Sequence, residues 1–464
     1  MERNNIKYVY FVGAGGIGMS ALIRYFLSKK IGVAGYDRTP SELTSQLIVE
    51  GVKIHFEDNI AMIPPEFLNP EETLIVYTAA IPDSHTELSY FRAHGFEVVK
   101  RAQVLGVITN PTKSICVAGT HGKTTTSSMI AHILKHSHLD CSAFLGGILK
   151  GYKSNLMLSN KSDITVAEAD EFDRSFLWLK PYMAVITAAD PDHLDIYGTP
   201  EAYREGFEQF SALIRPGGTL LIKKGVQITP RLQENVRLLT YSIDNGGDFH
   251  ADNIKVGNGE ISFDFVGPDV RIPGIQLGVP VGVNIENGVA AIAIAYLNGA
   301  TEKEIKDGMA TFPGAERRFD FHLKKDNIVL IDDYAHHPEE LKASIRSIRQ
   351  LYAGRKLTGI FQPHLYTRTR DFADGFAASL SELDEAILLD IYPAREEPIP
   401  GVTSKIIFDK ITIQDKKMTS KEKLGDLISE ELGSLDVVLM AGAGDIGLLV
   451  EPVKKILEKK DKQW

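Results

Sequence analysis

The chain has 464 residues, 44% of them hydrophobic and 24% charged, the composition of a folded protein and not of a disordered one. At ~150 residues per domain, that length asks for about three cores. A formal net charge of −10 argues against nucleic acid or an anionic membrane as the main partner, so any phosphate must be met by local groups. Two cysteines, Cys116 and Cys141, and a start with no evident cleavage site lead us to expect a cytoplasmic protein without membrane insertion.

Tyr8 to Val12 has a strand pattern, followed by Gly13-Ala14-Gly15-Gly16-Ile17-Gly18 and a helix pattern through Met19, Leu22, Ile23, Phe26 and Leu27. This is a G-x-G-x-x-G turn between strand and helix, and a second strand, Gly32 to Tyr36, ends in Asp37 near the spacing of a ribose-binding acid. Alone it favours a nicotinamide-dependent oxidoreductase. The narrower inference is a diphosphate on the helix start, and the plainest alternative is glycine allowing helix and strand to pack closely. Strands follow at Thr73 to Tyr77 and Glu97 to Val99; Thr78 sits at a strand end, where α/β sheets collect ligands, or in a simple turn. Gly106 to Thr112, rich in turn formers, reads as the first domain boundary.

Ile115, Cys116 and Val117 lead into Ala118-Gly119-Thr120-His121-Gly122-Lys123-Thr124-Thr125-Thr126, and a helix pattern follows through Met129, Ile130, Ile133 and Leu134. That setting suits a phosphate loop: Gly119 and Gly122 let backbone N–H groups turn inward, Lys123 brings charge to the β- and γ-phosphates, and Thr124 offers a hydroxyl to magnesium. Val117 stands where the longer motif has glycine, so the match is to the shorter Gly-x-x-Gly-Lys-Thr. Glycine-lysine-threonine by itself is often only a helix start; the flanking strand and helix favour a nucleotide.

Two further apolar runs end in acids, Ile164 to Ala167 before Glu168-Ala169-Asp170-Glu171-Phe172-Asp173, and Met183 to Thr187 before Asp190-Pro191-Asp192-His193. In a parallel sheet both clusters face the phosphate loop and suit magnesium. Most of these acids read as solvated charges or helix caps, with Glu168 the exception, and His193 reads equally as ligand or structural residue. From Asp248 to Gly278 short strands suggest a small β appendage. Asn284 and Asn287 open an apolar helix, able to cap it or to hydrogen-bond a purine. Phe312 to Ala315 marks a second boundary. Beyond it a strand ends in Asp332 to Pro338, another in Gln362 to Arg370, and a third glycine turn occupies Gly442 to Gly447.

Taken together and in this order, these motifs resemble the Mur ligases, the amino-acid-adding enzymes of peptidoglycan synthesis, over nearly the whole chain. The resemblance implies an α/β protein of three domains: a Rossmann-like UDP-sugar domain (1–108), a central P-loop ATPase domain with a parallel sheet and small β appendage (109–314), and a mobile Rossmann-like C-terminal domain (315–464). It implies that ATP and magnesium join UDP-N-acetylmuramate to L-alanine through an acyl phosphate. The first glycine turn would then serve the UDP-substrate, through Gly15, Gly16, Ile17, Gly18, Asp37 and Thr78. Ala118, Gly119, Thr120, His121, Gly122, Lys123, Thr124 and Thr125 would hold the ATP phosphates, with Arg318 beside them. Thr124, Glu168 and His193 would take magnesium. Asn284 and Asn287 would reach adenine, and Asp332 the ribose. Tyr334, His336 and Arg368 would form the alanine site, with His336 as base for the amine. Val283, Ala188 and Leu365 depart from common family residues, and Leu365 puts a second carboxylate contact to alanine in question. The near rival is a ligase recycling a ready-made murein tripeptide; a silent nucleotide-binding protein is disfavoured because lysine and metal-ligand residues are all present. Monomer and homodimer both remain open.

Overall fold

A computed structural model describes residues 5–257, 259–394 and 396–463. By backbone proximity the chain divides into two compact units, residues 1–251, 265–272 and 287–311, and residues 252–264, 273–286 and 312–464. Three sheets carry the fold.

The first sheet comprises β1 (Tyr8–Val12), β2 (Gly32–Tyr36), β3 (Lys53–His55), β4 (Thr73–Tyr77) and β5 (Glu97–Lys100), in spatial order β3-β2-β1-β4-β5 and parallel throughout. The period of two along β1 divides its side chains between two cores. Val9 and Phe11 face Leu22 and Phe26 of the helix Ile17–Ser28, while Tyr10 and Val12 face Phe67 and Phe91. Helices on both faces are what an all-parallel sheet requires.

The second sheet comprises β6 (Lys113–Ala118), β7 (Ser142–Leu149), β8 (Ser154–Met157), β9 (Ile164–Glu168), β10 (Met183–Ile186), β11 (Thr219–Lys223), β12 (Arg237–Ser242), β13 (Phe249–Gly257), β14 (Glu260–Gly267) and β15 (Val270–Gln276). Its order is β15-β14-β13-β12-β11-β10-β6-β9-β7-β8. The strands around β6 are parallel, so the segments following β6, β9 and β10 emerge at one edge. The strands expected as an appendage form as β13–β15 and continue this sheet.

Within the first unit these two sheets share one buried core, in which Phe11, Phe26, Cys116, Phe144 and Ala167 all take part. A buried polar knot reinforces it. Asn155 of β8, fully buried, donates through Nδ2 to Ile17 O (2.6 Å) and Ser20 Oγ (3.1 Å), and its Oδ1 accepts from Arg24 Nη1 (2.9 Å). The helix that opens at the first glycine turn is thereby tied to the sheet that carries the phosphate loop.

The third sheet comprises β16 (Asp320–Lys324), β17 (Val329–Asp333), β18 (Leu357–Phe361), β19 (Glu385–Leu388), β20 (Lys416–Met418) and β21 (Val437–Ala441), ordered β16-β17-β21-β18-β19-β20. Only β16 pairs antiparallel. Leu330, Ile360, Ile387, Val438 and Met440 meet Leu424 and Val453 in its core.

Gly106 to Thr109 differ from the sequence expectation: they close a helix, Arg101–Thr109, instead of forming a turn. Leu105, Gly106 and Thr109 are buried, and a Cβ at Gly106 would press on the carbonyl of Trp178. Tertiary burial outweighs the local turn propensity there. Glu168, Asp332 and Asp333 complete their strands and do not follow them. Among the described residues no helix is long and apolar enough to cross a membrane.

Candidate active site

The loop after β6 depends on two glycines. Gly119 sits at φ +141° and Gly122 at φ +81°, conformations that a side chain would strain. Neighbouring groups hold the turn. Thr187 Oγ1 donates to the carbonyls of Ala118 (3.2 Å) and His121. Thr120 N–H donates to Ala188 O (3.2 Å), and Thr120 Oγ1 donates to Asp190 O (2.8 Å). Gly122 then caps the helix Lys123–Lys135, which has no acidic residue in its first turn, leaving its positive end available to an anion. Thr124 is buried beneath the loop. Asn287 packs alongside: its Oδ1 accepts from Thr126 Oγ1 (3.3 Å), and a Cβ at Gly122 would lie 2.8 Å from that same oxygen.

Lys123 is folded into this loop. Its Nζ donates to Gly119 O (2.6 Å) and Glu171 Oε1 (2.8 Å). The lysine side chain is 15% exposed and the Glu171 side chain 2%, so this is a desolvated ion pair. Burial alone would lower the Lys123 amine, but Glu171, Glu168 and Asp170 more than offset it and hold the amine above its ordinary range. Burial also pushes Glu171 up, to about 7, against the pull of Lys123. The two directions are compatible because the cation faces three carboxylates, whereas Glu171 faces one cation and keeps its Oε2 buried without a hydrogen-bond partner. By sequence alone Glu171 is one of several loop charges. The signal was available in its place three residues after Glu168, at the same strand end.

Glu168 closes β9 with its Oε2 buried and without a hydrogen-bond partner. A Cβ at Gly146 would collide with its carboxylate, so the glycine of β7 makes room for it. His193 lies at φ +51°, its ring edge-on to Phe172 at 5.2 Å and its Nε2 3.7 Å from Asp192 Oδ2. Among the described residues no three His, Cys, Asp or Glu side chains converge as a ready metal cage. An unpartnered buried carboxylate oxygen beside a phosphate loop nevertheless suits magnesium, which is usually held by one or two carboxylates together with phosphates and water.

A cavity of about 260 Å³ opens where the first glycine turn approaches β9. Gly16, Ile17, Gly18 and Thr78 line it, and so does Glu168. Lys100 and Arg101, which sequence reasoning missed, line it too; Lys100 Nζ pairs with Asp173 Oδ2 (2.6 Å) and Arg101 Nη2 with Asp170 Oδ2 (3.1 Å). Gly15 and Asp37 stand behind the turn, where Gly15 N–H donates to Asp37 Oδ2 (2.6 Å) and Thr39 N–H to Asp37 Oδ1 (3.1 Å). Both Asp37 oxygens are thus engaged by backbone.

In the second unit, Arg317 and Arg318 flank the Tyr334 ring, their guanidinium carbons 5.2 and 5.1 Å from its centroid. Arg317 Nε donates to Asp332 Oδ2 (3.1 Å), and its Nη2 donates to Gly442 O (2.5 Å), clamping the third glycine turn to β17. Asp332 is 1% exposed, and its Oδ1 has no hydrogen-bond partner. Asn284 donates its amide to Val279 O (3.1 Å). His337 and Pro338 start the helix Pro338–Leu351, whose Glu340 accepts from His336 N–H (3.0 Å). That fixes His336 with its ring 5.3 Å from Tyr334 and 6.2 Å from His364. Burial holds His336 below its ordinary range despite Glu340, so the ring stays neutral near pH 7. Arg368 Nη1 lies 3.3 Å from His364 Nδ1, so His336 and Arg368 both neighbour His364, and Tyr334 adjoins them through His336. Leu365, at φ +69°, begins the helix Tyr366–Asp371 that carries Arg368.

The chain is similar to known proteins along its length. Residues 8–112 match the Mur ligase family catalytic domain, 117–295 the Mur ligase middle domain and 317–444 the Mur ligase glutamate ligase domain. A UDP-N-acetylmuramate–L-alanine ligase from Parabacteroides distasonis is 68% identical over 99% of both chains. Among solved structures, a UDP-N-acetylmuramate-alanine ligase from Thermotoga maritima superposes with a TM-score of 0.81 at 26% identity, over 98% of this chain and 100% of that one. A murein peptide ligase from Psychrobacter arcticus shares the fold, with a TM-score of 0.70 at 20% identity, over 97% and 98%.

Proposed function

The chain belongs to the Mur ligase family, and from that premise we propose that it joins L-alanine to the lactyl carboxylate of UDP-N-acetylmuramate, converting ATP to ADP and phosphate, in peptidoglycan synthesis. The observation that carries this reading is likeness along the full length to a ligase of that name, 68% identical over 99% of both chains. The same likeness disfavours the tripeptide-recycling ligase. The oxidoreductase suggested by the first glycine turn would leave Lys123, Glu168 and their surroundings without a task.

The lactyl carboxylate attacks the γ-phosphorus of ATP, giving an acyl phosphate and ADP; the alanine amine then attacks the acyl carbon, phosphate leaves, and the amine proton passes to a base. No nucleophile from the protein is needed, so its work is alignment and charge neutralisation. Apart from Thr120 N–H, which donates to Ala188 O, the backbone N–H groups of the loop and the start of the helix Lys123–Lys135 receive the phosphates, and Lys123 faces the transferring group. The first glycine turn, through Gly16, Ile17 and Gly18, holds the diphosphate of the sugar nucleotide, with Asp37 pinning Gly15 behind it. Glu168, lining that same cavity, stands between the two substrates. Thr124, Glu168 and His193 would hold magnesium, which when bound supplies further neutralisation of the phosphates. Asn284 and Asn287 would reach adenine, Asp332 the ribose and Arg318 the phosphates. Arg368 would bind the alanine carboxylate, and neutral His336, beside Tyr334, would accept the amine proton. The domains would run 1–108, 109–314 and 315–464, in a cytoplasmic protein.

Phosphate release is expected only with UDP-N-acetylmuramate, L-alanine, ATP and magnesium together. Equal release with the tripeptide but not with alanine would establish the recycling activity instead. Turnover of NADH would overturn the ligase reading.

A further inference from the structure

Glu171 has no part in the reaction just described, yet it is more deeply buried than any other charged group around Lys123. A buried carboxylate with one oxygen unpartnered is costly unless it holds something in place. What it holds is the Lys123 ammonium, at 2.8 Å, with Gly119 O completing the grip at 2.6 Å. Two of three ammonium hydrogens are thereby directed, and the third remains for a ligand in the loop.

The segment carrying Glu171 is itself braced from several sides. Tyr197 OH donates to Glu171 O (2.6 Å), and Arg101 pairs with Asp170 (3.1 Å) and Lys100 with Asp173 (2.6 Å). The Arg174 guanidinium lies 4.8 Å from the Tyr197 ring. Asp173 and Arg174 stand consecutively at φ +53° and +54°, a conformation unfavourable for residues with a side chain that persists only where surroundings enforce it. A carboxylate mounted on so constrained a segment has little freedom to follow a wandering lysine; the lysine must come to it.

We propose that Glu171 is a positioning residue for the ligation reaction: its carboxylate fixes the Lys123 ammonium at the phosphate loop, in place before the phosphoryl group is transferred. The proposal rests on the reading of Lys123 given above. Removing the Glu171 charge has opposed effects, because it lessens repulsion toward the triphosphate while releasing the ammonium. The released cation is missed in the transition state, so the two effects separate in kcat and KM.

The test is steady-state kinetics of Glu171→Gln, alongside Lys123→Ala, with thermal unfolding and a crystal structure of the wild-type protein holding a non-hydrolysable ATP analogue. Glu171→Gln is expected to lower kcat by about tenfold to a hundredfold, with KM for ATP unchanged or lower, KM for UDP-N-acetylmuramate unchanged and the unfolding midpoint retained. In the analogue complex, Lys123 Nζ should remain within hydrogen-bond distance of the Glu171 carboxylate. Wild-type kcat in Glu171→Gln, a rise in both KM values together with a lowered midpoint, or an ammonium that leaves Glu171 when the analogue binds would each overturn the proposal. Should Glu171→Gln not fold, Glu171→Asp serves, since it keeps the charge but withdraws it from the ammonium, and wild-type kcat there would count equally against positioning. Undiminished ligation by Lys123→Ala is a different failure: it removes the lysine's assigned role and leaves Glu171 nothing to position.

Discussion

Two turns in the first unit follow the same local plan, a buried parallel strand, a glycine turn and a helix, yet they are furnished with opposite charge. At the first, the group brought to the backbone donors is a carboxylate: Asp37 accepts from Gly15 N–H at 2.6 Å. At the second, a cation is buried in the turn itself and a buried carboxylate holds it, Lys123 against Glu171 at 2.8 Å. Glycine and a helix start suffice to bind a phosphate. Transferring one calls for charge in place as the transition state forms, and the second turn buries its cation within itself, whereas Lys100 and Arg101 reach the first from another segment and are paired with Asp173 and Asp170.

The comparison breaks most visibly at Lys123. Lys123→Ala should lower ligation roughly a thousandfold while leaving UDP-N-acetylmuramate affinity, read by calorimetry, within about twofold. Loss of both would mean that the two turns do not divide the work. Asp37→Ala is the converse. With Gly15 N–H deprived of its acceptor, KM for the sugar nucleotide should rise about tenfold, with KM for ATP unchanged; an equal rise in both would erase the distinction.

A third effect, on stability and not on turnover, sharpens it, because each region also buries a carboxylate. Glu87, fully buried, accepts from Tyr10 OH (2.7 Å) and Asn59 N–H (3.1 Å) and lies 3.4 Å from His55 Nε2; among the described residues no lysine or arginine pairs with it. Burial therefore raises it to about 7, well above its unfolded value. The folded state binds this proton more tightly, so its contribution to stability is complete below the unfolded pKa and is lost as pH rises through about 7. Burial depresses neighbouring His55, whose contribution has the opposite sign, present above its unfolded value and lost as pH falls. Glu87→Gln should flatten the alkaline decline and gain on the order of 2 kcal/mol at about pH 8 relative to about pH 5, measured by urea unfolding. An unchanged slope would show that Glu87 does not carry it.

Much of this was legible along the chain because the signals are local. The apolar run Ile115 to Val117, glycines at 119 and 122 and the helical spacing of Met129, Ile130 and Ile133 define a phosphate loop without reference to anything distant. Pro338 marked a helix start for the same reason. Gly106 to Thr109 misled because turn-forming residues lie in a helix whose buried side packs near Trp178, some seventy residues on. Arg317, the partner of Asp332, is not singled out by the sequence because the arginine precedes β16 while its acceptor lies within β17, fifteen residues on.

The order of strand, turn and acid was determined by sequence alone, since backbone conformation and the two- and 3.6-residue periods are properties of neighbouring residues. Which carboxylate at the end of β9 faces a cavity and which grips a lysine was decided only by the tertiary structure. Glu168 and Glu171 are chemically identical in sequence, and they part company because burial and the position of Gly146 or Lys123 around each of them depend on how separate strands are stacked.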